Sequence, residues 1–190
     1  MMNEAVKVVR KNNCAVCIYP DSDPSSPREW DNLGKLFLQT RSVWRTECTE
    51  DDVREAVVKL PVYKYEHSGV ALSTRNDCYP FNDRWDSCLA GYIVALREDV
   101  VKEFGVKRIS AKLKNKVAEI LKSEVAAYNQ WINGEVYGFK VFSGVDESVA
   151  DCEIEEVGTE EDSCWGYYSI EDAINDALAY NLQETEAVTA

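Results

Sequence analysis

SAKLKNKVAEILKSEVAAYNQWINGEVYGFKVF, residues 110 to 142, decides the fold class. Leu113, Val117, Ile120, Leu121, Val125, Tyr128 and Trp131 recur at three- and four-residue spacing, so they share one face of a long amphipathic helix over about 110–132. Ser110 offers an N-cap oxygen, and Asn133 with Gly134 ends the helix. VYGFKVF (136–142) then reads as a strand, rich in β-branched and aromatic residues.

Upstream, GYIVALR (91–97) is the best strand in the chain, followed by a short helix ending at Gly105. Residues 5–19 read as one or two strands, DSDPSSPREWDN as loop, and LGKLFLQT (33–40) as a strand. Thr49 followed by Glu50, Asp51 and Asp52 is an N-cap with acids in the first turn, and Val53, Ala56, Val57 and Leu60 predict a helix that stops at Pro61. VYKYE (62–66), Gly69 and VALST (70–74) suggest a hairpin, and NDCYPFNDRWDS a long aromatic-bearing loop. Strands that are sequential, with helices interspersed irregularly, predict an α+β fold on an antiparallel sheet. WDSCLAGY (85–92) and DSCWGYY (162–168) share Asp-Ser-Cys, but no fixed period of repeat accompanies them.

With 190 residues the chain can bury a core without staples, and 45% hydrophobic with 11% aromatic residues is globular usage. Apolar runs reach only about five residues, as from Tyr92 to Leu96, so no membrane span is expected. The N-terminal MMNEAVKVVRKNNC lacks the continuous apolar region of an export signal, which predicts a cytoplasmic location and free thiols.

The formal charge of −13 argues against the whole molecule being a nucleic-acid binder, and its distribution is uneven. Residues 145–190 hold 14 acids and no Lys or Arg, whereas the preceding 144 residues hold 20 acids against 21 bases. This predicts a near-neutral core domain over 1–144 and an acidic segment over 145–190. Ile170, Ala173, Ile174, Ala177, Leu178 and Leu182 recur at helical spacing behind a Ser169/Asp172 capping pair, so the segment should end in a docked acidic helix, with a disordered tail after about 183.

Spaced carboxylates can stand in for phosphates and occupy a basic groove on a partner, although charge runs also serve simply as solvated surface. Asp146, Glu147, Asp151, Glu153, Glu155, Glu156, Glu160, Glu161 and Asp162 are the candidates for that surface, with Trp165 and Tyr168 as anchoring aromatics or as pins holding the last helix to the core. Lys107, Arg108, Lys112, Lys114 and Lys116, with no acid between Glu103 and Glu119, form the opposite patch and could contact phosphate; no aromatics interleave them.

Catalytic signals are thin. Cys14 and Cys17 make a lone C-x-x-C in a strand-like run, without the second pair of a zinc site, so no metal and no cofactor is expected. His67 is the one histidine, and a mechanism needing a His base would use it, with Cys78, Cys88 or Ser68 as nucleophile and Glu66 or Asp77 as orienter. Asp21, Asp23, Glu29 and Asp31 lack the glycine and distal glutamate of a calcium loop. No phosphate-binding loop, dinucleotide fingerprint, zinc-protease motif or nucleophile elbow occurs, which points away from an enzyme.

PREWDNLG (27–34), YEHSG (65–69), WDS (85–87) ahead of Gly91-Tyr92, EVAAYNQWINGEVYG (124–138) and DSCWGYY (162–168) form an ordered set. It resembles a family of small proteins encoded by bacteriophages, prophages and mobile elements, over residues 20 to 180. Glu66 and Cys88 stand where members have YDHSG and WDSG. A small, acidic, stand-alone protein of that phage-type family, with no catalytic motif, is similar in kind to anti-CRISPR and antirestriction inhibitors. By that analogy of class, not by a motif match, the expectation is an anti-defence protein whose partner is a host CRISPR effector or other defence nuclease complex. Such inhibitors work stoichiometrically. A small enzyme built around His67, or a nucleic-acid-binding accessory protein using Lys107 to Lys116, are the alternatives.

Overall fold

The computed structural model describes residues 4–38, 46–74 and 85–187, with side chains through residue 179. The fold is α+β, with two antiparallel four-stranded sheets, each belonging to its own compact unit. One unit combines residues 1–25 with 134–190, and residues 26–133 form the other as a single insertion in the chain.

In the first unit, β1 (Lys7–Lys11) and β2 (Cys14–Pro20) form a hairpin, β7 (Tyr137–Ser143) pairs with β2, and β8 (Thr159–Tyr167) pairs with β7. Strand alternation sends Val16, Ile18, Phe139 and Val141 to one face, where Ala173 and Ala177 of α5 (Ile170–Ala187) cover them. Ala15, Cys17, Tyr19 and Phe142 point to the other face, closed by Val145 and Ile154. Ile154 opens the short helix α4 (Ile154–Val157), preceded by a 3-10 turn at Asp151–Glu153. Both faces are therefore apolar, which is why β2 reads as a continuous hydrophobic run.

The boundary expected at residue 144 is displaced. β7 and β8 lie on either side of it and share a hydrogen-bonded ladder, so the acidic segment belongs to the same unit as the N-terminal hairpin. β8 itself was not expected, because Glu160-Glu161-Asp162 near its start have low strand propensity and are held by pairing with β7. Helical backbone continues to Ala187, past the position near 183 where a tail was expected to begin.

In the second unit the strand order is β3 (Lys35–Leu38), β6 (Ser87–Ala95), β4 (Val58–Glu66), β5 (Val70–Ser73). The long helix α3 (Ala111–Ile132) lays Val117, Leu121, Val125 and Tyr128 against Leu36, Leu60, Val62, Leu72 and Ile93. Each such aliphatic side chain contributes about 1.5–3 kcal/mol on burial. Ser110 caps α3 through its Oγ to the Leu113 N–H, and α2 (Arg97–Phe104) ends at Gly105 in the left-handed conformation.

Thr49 makes the expected cap, with a reciprocal bond to Asp52, but helix α1 spans only Glu50–Glu55. The helix expected to reach Pro61 gives way to β4, where Val58, Leu60 and Val62 are buried on alternate positions. The two-residue period won over the helical one. Pro61 is tolerated because β5 joins β4 only from Tyr63 onward, so at Pro61 one side of β4 has no strand partner among the described residues.

Candidate functional site

Of the 34 acids and 21 bases, 18 acids and four bases (Lys7, Arg10, Lys11 and Lys140) fall in the first unit, a net of −14. The second unit carries 16 acids and 17 bases, a net of +1. The entire net charge is thus confined to one compact body.

Within that body the acids divide by task. Arg10, on β1, reaches the carbonyl of Asp146 at 3.0 Å, that of Val149 at 2.8 Å and the Asp151 carboxylate at 2.5 Å. This clamp fastens the 146–151 turn to the sheet. Asp146 further accepts the Ser148 hydroxyl and N–H, which hold its carboxyl below the ordinary range. Glu155 accepts the Tyr19 hydroxyl; burial first, and then this carboxylate, push the phenol up. Glu160 pairs with Lys140 at 3.1 Å, Glu161 takes the Ser143 hydroxyl, and Asp162 accepts the Ser163 N–H at 2.9 Å. Glu147, Glu153 and Glu156 are exposed and have no partner among the described residues. Of the nine carboxylates expected to face a partner, these three have no structural task.

Trp165 lies across Gly138 on the adjacent strand: a Cβ built on Gly138 would come within 2.1 Å of the indole Cε3. Its ring covers a glycine on the sheet, and 44% of the residue remains exposed. Tyr168 is half-buried near Asp21, its phenol pushed up by burial and by that carboxylate. Tyr167 bonds Asp176 of α5, so it is Tyr167 that ties β8 to the last helix.

Among the described ion pairs, the most buried one joins Arg28, in PREWDNLG, to Glu124 of α3, both in the second unit. Arg28 reaches Glu47 through Nε at 2.8 Å and Nη2 at 2.6 Å, Glu124 at 3.3 Å, and the Gly34 carbonyl at 2.7 Å. Burial pulls the guanidinium down, but Glu47 and Glu124 outweigh it, and its pKa is raised. Glu124, from α3, accepts the Leu33 N–H at 3.0 Å and the Gly34 N–H at 3.1 Å. Glu47 accepts the Leu36 N–H at 2.8 Å. Every polar group here satisfies another, so the cluster anchors the loop to α3. Nothing local in the motif points to Glu47 or Glu124, which stand 19 and 96 positions from Arg28.

His67 is exposed in the turn between β4 and β5, its Nδ1 at 2.7 Å from an Asp86 oxygen. The orienting carboxylate is Asp86 rather than Glu66, which pairs with Lys64 at 2.5 Å. Asp77 and Cys78 lie outside the described residues. Cys88 sits across from Lys64 on β6 and is exposed. Cys14 and Cys17 lie in β2, where positions three apart face opposite sides, and burial pushes both thiols up. Lys107, Arg108, Lys112, Lys114 and Lys116 are exposed before and along the start of α3, with Lys116 over the Phe104 ring at 5.0 Å. Among the described residues no three His, Cys, Asp or Glu side chains converge on a common point, and no helix is long and apolar enough to cross a membrane.

These features define an α+β protein of two sheet-and-helix units, one of them strongly acidic. No family model matches the chain, and neither a curated protein nor a solved structure matches it.

Proposed function

We propose that the chain is a non-enzymatic anti-defence protein of the anti-CRISPR kind, acting in a bacterial cytoplasm. Its acidic unit binds a Lys- and Arg-rich surface of a host nuclease complex stoichiometrically and occupies the place of nucleic acid. The observation that carries this reading is the confinement of a net −14 to one unit, with Glu147, Glu153 and Glu156 held on an ordered body and not engaged in holding it together. A fixed array of like charge raises the association rate with a basic partner and competes with phosphate for the same cations.

The test is to capture the tagged protein from cells carrying a defence system, with and without nuclease treatment, and to assay the recovered effector. A nuclease-resistant complex whose activity falls in proportion to bound protein is expected. Reversing Glu147, Glu153 and Glu156 to Lys changes the net charge by six and should abolish inhibition at unchanged melting temperature. Inhibition that survives this reversal sinks the electrostatic mechanism.

A second reading rests on the His67 and Asp86 pair, since a carboxylate accepting from Nδ1–H would leave Nε2 as the ring nitrogen free to act as a base. It requires turnover that is lost in His67→Ala.

A further inference from the structure

Along β1, Val8 and Arg10 alternate onto the same side of the sheet, and Val6 lies just before the strand. Arg10 at one end is gripped by the 146–151 turn, with oxygens of Asp146, Val149 and Asp151 around its guanidinium. Beyond it a cleft of about 600 Å³ opens between β1 and the Asp151–Val157 segment. Ala5, Val6, Val8 and the Tyr19 ring supply its apolar part, and Glu4, Asp151, Glu155 and Glu156 its charged part. Val6 is 51% exposed, so apolar surface in this cleft meets solvent. Glu4 and Glu156 have no partner among the described residues, and Lys7 is the one base in the lining.

We propose that this cleft receives an arginine side chain from a basic protein partner, its methylene stem against Val6, Val8 and Tyr19 and its guanidinium between Glu4 and Glu156. Charge complementarity selects the occupant. An apolar groove walled by carboxylates fits a side chain that is greasy along its length and cationic at its tip. Arginine is favoured over lysine because its planar fork can engage two carboxylates at once. The chain's own Arg10 shows the neighbouring oxygens already holding a guanidinium. The inference deepens the acidic-surface reading: it names the point on that surface where a partner residue anchors, and it rests on the partner being basic.

The experiment uses the full-length protein and a fluorescein-labelled peptide of alternating glycine and arginine, with its glycine-lysine counterpart, read by anisotropy at moderate and high salt. The arginine peptide should bind at least several-fold more tightly than the lysine peptide. Glu4→Lys/Glu156→Lys should weaken it more than tenfold, whereas Glu171→Lys/Asp172→Lys, the same charge change on α5, should weaken it no more than two- to threefold. Val6→Asp should abolish the preference for arginine over lysine. Bound peptide should also slow alkylation of Cys152, which lines the cleft, and leave Cys164 unaffected.

Equal losses in the two double variants would show a response to net charge alone and overturn the site, as would absence of peptide binding to the wild type. Failure of the acidic-surface reading is distinguishable. Selective peptide binding with no nuclease inhibited leaves the cleft standing and removes the nuclease, while inhibition that persists in Glu4→Lys/Glu156→Lys moves the anchor elsewhere.

Discussion

Glu124, in the middle of α3, accepts the backbone N–H of Gly34 on both carboxylate oxygens, each at 3.1 Å. The fit is tight: a Cβ on Gly34 would lie 2.6 Å from Glu124 Oε2 and 2.5 Å from Leu121 Cδ2. One carboxylate thus joins the helix to the loop, to the Arg28 guanidinium at 3.3 Å, and to the start of β3.

Replacing Glu124 by Ala leaves the N–H groups of Leu33 and Gly34 unsatisfied and Arg28 with Glu47 as its remaining carboxylate. The expected cost is roughly 3 kcal/mol in urea unfolding. Burial pushes the Glu124 carboxyl above the ordinary 4.5, outweighing the Gly34 N–H and the Arg28 charge, which pull it down. The native state therefore keeps this proton to higher pH than the unfolded chain does. Its contribution to stability falls as pH rises from about 4.5 through the raised value. Glu124→Gln should remove that part of the slope, and an unchanged slope would assign it to other groups.

Gly138→Ala places a methyl group 2.1 Å from the Trp165 ring and should cost about 1–3 kcal/mol by overpacking. Trp165→Ala relieves the clash, so the double variant should be less destabilised than the two single changes summed, by about 1 kcal/mol or more. Strict additivity in denaturant unfolding would mean that the indole does not rest on the glycine.

His67→Ala removes one partner of an exposed pair, for which about 0.5 kcal/mol or less of stability is at stake. On the binding reading, both partner capture and nuclease inhibition should be unaffected. Loss of function with an unchanged melting temperature and substoichiometric activity would instead assign chemistry to His67 and Asp86.

The amino-acid sequence determined, by itself, whatever depends on neighbours a few positions apart. The α3 face, the caps at Thr49 and Ser110, the left-handed stop at Gly105 and the β4/β5 hairpin all rest on local periodicity and local hydrogen bonds. The concentration of acids after residue 145 is likewise a matter of counting. Tertiary structure decided the rest. Up to Leu60 the sequence fits the end of a helical stripe (Val53, Ala56, Val57, Leu60) as well as the start of a strand alternation (Val58, Leu60), until β6 pairs with it. Acidic Glu160 to Asp162 becomes strand only because β7 offers a ladder. Arg10 meets Asp151 across 141 positions, and Arg28 meets Glu124 across 96. Such pairings are set by burial and chain closure rather than propensity, so no window of sequence contains them. The Arg10 clamp and the β7/β8 ladder are what turned a run of acidic residues into a surface with a cleft.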